Sequence, residues 1–161
     1  MKHLVVLLVA TILAGCAGYQ LGGPKPAFSR IEVSPIRNAT ARTGTHAVLH
    51  GKIVEALSAD PRVKVGPGDA VLAAEVTRYQ RDGFTTKTGD AYAFTSYRVS
   101  FEVRCTLTAD GGQRVLFKDR VFRSVATLQI VGDPAAEELS LAPTLFADIA
   151  AQIREAATTA W

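Results

Sequence analysis

The chain has little of what staples or catalyses: two cysteines, one tryptophan, one methionine and three histidines in 161 residues. It has no apolar run long enough to cross a membrane. The longest, Leu4 to Ala14, holds eleven residues where a spanning helix takes roughly 20. Charge of one sign is also scarce. The formal net charge is only +3, without the dense basic face or run that marks a nucleic-acid binder. No G-x-S-x-G elbow, phosphate-binding P-loop or dinucleotide fingerprint occurs, and nothing supplies a nucleophile with a base, which argues against an enzyme such as a lipid hydrolase. His46 and His50 stand four apart on a helical pattern, but two ligands make no metal site and no third has the expected spacing. Neither a metal nor a cofactor is expected.

What is present begins at the N-terminus. Lys2 and His3 precede the apolar run, and Leu13-Ala14-Gly15-Cys16 closes it. This arrangement resembles the lipobox of bacterial lipoproteins. The resemblance implies that residues 1–15 are a signal peptide, that Cys16 carries the acyl chains, and that two or three chains together make a stable anchor where one binds only marginally. Ala17 in place of aspartate then implies the outer membrane, on its periplasmic face. Removal of the leader takes Lys2 with it, so 17 of the 18 Lys and Arg remain against 15 Asp and Glu. With Cys16 acylated, Cys105 has no partner for an intramolecular disulfide. Residues 16–27, rich in glycine and proline, read as a lipidated tether, and 28–161 as one α+β domain.

Within that domain, Ile31 and Val33 alternate in a first strand that Pro35 ends. Leu49, Ile53, Ala56 and Leu57 form the apolar stripe of a helix, which Asp60-Pro61 stops. Val63 and Val65 mark a short strand. Leu72, Ala74 and Val76 alternate in a longer one running towards Tyr79, and the polar, glycine-bearing stretch 82–90 reads as a hairpin loop. The clearest strand follows. Tyr97, Val99, Phe101, Val103, Cys105 and Leu107 are its apolar half, and Arg98, Ser100, Glu102, Arg104 and Thr106 its wet half. Cys105 is therefore expected as a small core residue. Asp110-Gly111-Gly112 turns the chain. Val115 and Phe117 open the next strand, and Asp119 breaks the series before Val121 resumes it, through a bulge or an edge position. A terminal helix is capped by Asp133 with Pro134 in the first turn, where Glu137 and Glu138 suit the positive end of the dipole. Leu141, Leu145, Ile149 and Ile153 are spaced four apart along it, and Pro143 must kink or split it.

A sheet with one apolar face and two helices with one apolar stripe each are satisfied when both helices cover the same side. The other sheet face stays open. Arg98 and Arg104 lie on it, joined by Lys118 and Arg120 if the next strand keeps that register. Such a stripe can clamp phosphates, because arginine offers a planar fork of donors; an ordinary solvated face, with Glu102 between the arginines, is the alternative. The hairpin tip carries Arg81 and Lys87 beside Phe84, Tyr92 and Phe94, a mixture suited to a protein or lipid interface.

Taken in order, several segments resemble the LPS-assembly lipoprotein family, LptE. They are Cys16 with Gly18-Tyr19-Gln20-Leu21, the run Ile31 to Thr40, Arg62-Val63-Lys64-Val65, and Asp69 to Val76 leading to Tyr79. The alternating strand Tyr97 to Leu107, the strand Val115 to Phe122 and the terminal helix complete the resemblance. It implies a four-stranded sheet in β-α-β-β-β-α order with two helices on one face. It also implies insertion into the lumen of the outer-membrane barrel LptD, help in barrel assembly, and binding of lipopolysaccharide during export, with no catalysis. The segment Ile31 to Val76 is similar as well to lipoproteins that activate peptidoglycan synthases. Those usually carry a long spacer, whereas the eleven residues after Cys16, 17–27, reach at most about 40 Å.

Overall fold

The computed structural model describes residues 25–159, with only the backbone of Ala91, Tyr92 and Pro134. The signal peptide, Cys16 and most of the tether lie outside the described residues. The elements run β1 (Arg30–Val33), β2 (Arg37–Asn38), α1 (Thr45–Ser58), β3 (Lys64–Val65), β4 (Ala70–Lys87), β5 (Asp90–Ala109), a single 3-10 turn, β6 (Arg114–Gln129) and α2 (Pro134–Thr159). The sheet has six strands rather than four, in the order β3-β1-β4-β5-β6, with β2 also on β4. The two additional strands are two residues long: β3 is the short strand that Val63 and Val65 mark, whereas β2 is too short for any alternation to announce it. Both pair in parallel, as does β1 with β4, so the α1 crossover returns the chain to the same sheet in the manner of a β-α-β unit.

Both helices pack on one face. Leu49, Ile53 and Leu57 of α1 and Phe146, Ile149 and Ile153 of α2 are fully buried against Leu72, Val76, Val99, Phe101, Val103 and Leu107 of the sheet. Cys105 belongs to the same core, and burial pushes its thiol up to about 12. It is therefore a protonated, inert packing residue. α2 is one 26-residue helix with Pro143 inside it, neither split nor ended there. Pro143 and Leu139, whose carbonyl the ring deprives of a donor, are both exposed, so water can satisfy what proline removes.

Bulges decide which side chains face the helices, and two of them move charged residues. In β4, Val76 pairs with Val103 and Arg78 with Glu102, so Thr77 is an extra residue and the inward parity switches from even to odd numbers. In β6, Phe117 pairs with Leu107 and Arg120 with Cys105, leaving two residues opposite Thr106 alone. Asp119 takes a left-handed conformation there, φ 50°, which aspartate tolerates better than most residues. Its N–H donates to Thr106 Oγ1 at 3.1 Å. The break at Asp119 is thus a bulge. Val121 does not resume the apolar series: it is exposed, and Phe122, Ser124 and Leu128 point inward instead.

The loop after α1 is held by Asp60, whose carboxylate accepts from the backbone N–H of Arg62 at 3.0 Å and from its guanidinium at 2.6 and 2.9 Å. The Arg62 side-chain hydrogen bond, opposed by burial, holds the Asp60 carboxyl down at about 2 against an ordinary 3.8. A depressed carboxyl stabilises the fold above its unfolded value and loses that contribution as pH falls through the folded one. Asp60→Asn is accordingly expected to cost about 1–2 kcal/mol near neutrality. The gap to the wild type should close between about pH 4 and pH 2 in urea titrations; a gap that persists at pH 2 would remove Asp60 as its source.

Candidate functional site: the open sheet face and the hairpin arm

The uncovered face of β4, β5 and β6 carries Arg78, Arg98, Arg104 and Arg123 against Glu75, Asp82 and Glu102. Glu102 sits at its centre and pairs with Arg78 at 3.8 Å and Arg123 at 3.4 Å. Arg98 and Arg104 lie on either side of this group. They lie six residue steps apart along the strand, roughly 20 Å, so they cannot hold one phosphate between them. Each instead lines its own shallow cleft. One, of about 460 Å³, is formed by Gln80, Asp82, Arg98, Ser100, Arg123 and Val125. The other, of about 340 Å³, includes Arg37, Glu75, Arg104, Thr106 and Asp119. Arg98 also stacks on the exposed ring of Phe84 at 4.5 Å, which orients its guanidinium and leaves its edge donors free for an anion.

Lys118 and Arg120 do not both join this face. Lys118 lies in the bulge and is exposed. Arg120, directly opposite the buried Cys105, turns to the helix side, where it lies over Phe117 and Phe122 at 6.0 and 5.4 Å and lines a cleft with Gln152 and Glu155.

The stretch read from the sequence as a loop at 82–90 is paired strand almost to the turn: β4 continues to Lys87, and Lys87 pairs with Asp90. Gly89, φ 87°, makes the two-residue turn possible. Because every residue from Arg81 to Asp90 is exposed, this hairpin is an arm that projects beyond the core. Phe94 lies directly on Gly83, where a Cβ would sit 2.2 Å from its ring, and packs against Tyr97 with ring centroids 5.6 Å apart. Phe84 and Phe94 are thus on opposite faces of the arm. Lys87 is exposed beside the turn, and the Tyr92 side chain lies outside the described residues.

Arg81 is not a free interface residue. The bulge at Thr77 turns Tyr79 and Arg81 towards α2, where both bind Glu138. The carboxylate of Glu138 is 3% exposed, accepts the Tyr79 hydroxyl, and pairs with Arg42 and Arg81 at 3.2 Å each. Burial and then the Glu138 hydrogen bond push the Tyr79 hydroxyl up to about 12, so it remains a donor. Of the two glutamates expected near the dipole, only Glu137 caps, with Oε1 accepting the N–H groups of Val131 and Gly132 at 3.0 and 2.7 Å. Glu138 is instead the centre of a buried cluster. Its signal in the sequence is faint: it lies three residues before Leu141, on the stripe that faces the sheet.

Among the described residues no group of three or more His, Cys, Asp or Glu could hold a metal ion, and no helix is long and apolar enough to cross a membrane. The sequence profile of LptE, described as lipopolysaccharide-assembly, matches residues 28–157. The chain belongs to the LptE family. That match takes in α1, every strand and all but the last two residues of α2, including the open face and the arm of this LptE-family chain. No curated protein matches it. Its fold is similar to that of a Xanthomonas campestris protein of family DUF330, at TM-score 0.59 and 16% identity over 84% of this chain and 86% of that one. A minor lipoprotein from Acinetobacter baumannii aligns at TM-score 0.55 and 15% identity over 80% and 91%. A putative lipoprotein from Caulobacter crescentus aligns at 0.51 and 16% over 77% and 88%. At such identities these likenesses speak for the fold alone.

Proposed function

We propose that this LptE-family chain is an outer-membrane lipoprotein that seats inside an LptD-type β-barrel. In this reading it helps the barrel assemble, occludes its pore, and contacts lipopolysaccharide on the open sheet face during export. It carries out no reaction. Cys16 bears the lipid, residues 16–27 form the tether, and residues 28–161 are one domain on the periplasmic side of the membrane. The observation that carries the reading is the placement of the two ends of the sheet. Arg114 donates to the carbonyl of Ala27 at 2.9 Å, and Asp69 accepts the N–H groups of Ser29 and Arg30, so the tether leaves beside the turn at Asp110. The arm leaves from the opposite end of β5, a strand of 20 residues and about 60 Å. That length is ample to enter a pore through a hydrocarbon layer about 30 Å thick. A chain tethered at the barrel mouth thus presents Phe84, Lys87 and Phe94 to the lumen, and Arg98, Arg104 and Lys118 to anionic glycolipid along the open face. Arg120, on the helix side, is left for the barrel wall.

Solubilising outer membranes in mild detergent is expected to co-purify the chain with a large β-barrel of the LptD kind; recovery with a peptidoglycan synthase in its place would overturn the assignment. Cys16→Ser should move the protein from the membrane to the soluble fraction. Two arginine contacts to phosphate are each worth about 1.5–3 kcal/mol. Arg98→Glu with Arg104→Glu should therefore weaken lipopolysaccharide binding by at least about tenfold with the melting temperature unchanged, and undiminished binding would take the site off this face.

A further inference from the structure

We infer that Arg42 and Arg81 form a second anion site, on the helix side of the sheet, which takes a phosphate-type oxyanion between two guanidinium groups fixed by the buried carboxylate of Glu138. Arg42 comes from the loop after β2 and Arg81 from β4 beyond its bulge. Arg42 Nη2 binds Oε1 of Glu138 and Arg81 Nη1 binds Oε2, each at 3.2 Å. The arginine side chains are one-third exposed, 33% and 34%, while the carboxylate is 3% exposed.

Charge separates a ligand site from a simple clamp. One arginine neutralises one carboxylate, and the second leaves a surplus positive charge in a half-buried place. The N-terminal end of α2, four residues from Glu138, adds its positive dipole end to that surplus. The neighbouring carboxylates pair with neither arginine: Asp133 accepts the N–H of Ala135, and Oε1 of Glu137 accepts those of Val131 and Gly132. Both guanidinium groups are also stacked, Arg81 over Tyr97 at 4.2 Å and Arg42 over Tyr79 at 5.8 Å. Arg81 also hydrogen-bonds the Tyr97 side chain. Stacking and these contacts leave each fork few ways to turn, so the donors used on neither Glu138 nor Tyr97 are held for an acceptor outside. A single phosphate group, free or on a lipid headgroup, supplies both the missing charge and at least two acceptor oxygens. The site is independent of lipopolysaccharide binding on the open face.

The test uses the mature full-length chain, with Arg42 and Arg81 side-chain N–H signals followed by NMR as inorganic phosphate is added, and in a second titration as a short-chain phosphatidic acid is added. Saturable shifts of both arginines are expected with at least one of the two. Response to both marks the phosphate group itself as the ligand, and response to the lipid alone marks a headgroup. Arg42→Gln, which leaves Arg81 to partner Glu138, should weaken the binding about tenfold. Arg42→Lys, which keeps the charge and loses the fork, should fall between and serves where the glutamine variant does not fold. Arg98→Glu with Arg104→Glu should leave these titrations unchanged, which separates this site from the open face. Absence of a saturable shift with either probe, or full binding in both Arg42 variants, would overturn the inference.

Discussion

Replacing Phe101 with alanine is expected to destabilise the protein by about 3–5 kcal/mol, the range for losing a buried phenylalanine together with the cavity it leaves. Phe101 is 2% exposed and sits between Tyr79 and Phe146, with ring centroids 5.1 and 4.7 Å away. It is the point at which β4, β5 and α2 meet, and rings on both sides cannot collapse into the space without leaving their own rotamers. Urea unfolding reads the loss as a lower midpoint at unchanged slope. Phe84→Ala is the matched control, because Phe84 is 54% exposed on the arm and its removal should cost less than about 1 kcal/mol. Equal losses in the two variants would mean that the arm, not the helix-covered sheet, carries the stability.

Glu138→Ala is expected to cost about 3 kcal/mol, while Glu137→Ala one residue earlier should cost about 1 kcal/mol. The two side chains are chemically identical and adjacent, so the difference isolates environment. Glu137 spans the backbone N–H groups of the preceding turn, and its loss is that of a cap. Removing Glu138 strands the Tyr79 hydroxyl and leaves two arginines facing each other without a counter-charge. Because those arginines stay one-third exposed, water screens part of the penalty, which keeps the expected figure at the lower end for a broken buried pair. Glu138→Gln retains the shape and an acceptor for Tyr79, and should recover about half of the loss. Similar midpoints for the Glu137 and Glu138 variants would show that the cluster contributes no more than a surface pair.

Much of the architecture is legible in the sequence. The odd residues from Val99 to Leu107 are buried as their alternation requires, because a half-covered strand repeats every two residues and tolerates no slip. The stripes Leu49, Ile53, Leu57 and Leu145, Ile149, Ile153 face the core for the corresponding reason on a helix. Asp133 caps, Asp60-Pro61 ends α1, and Arg98 and Arg104 stand on the uncovered face. The arm reads as a loop in the sequence because a strand exposed on both faces has no apolar alternation to reveal it. Polar residues with Gly83 between them look like a loop whether or not they pair.

The sequence by itself determined the class of fold, the side of the sheet that both helices cover and the face left open, since each follows from periodicity and needs no knowledge of what lies opposite. Only the tertiary structure decided which cations stand together. One extra residue at Thr77 reverses the pleat of β4 and sends Arg81 to Glu138. Two residues opposite Thr106 reverse β6 and take Arg120 away from Arg104. A bulge is set by the register of two strands far apart in the chain, and one residue of offset exchanges the faces of everything beyond it.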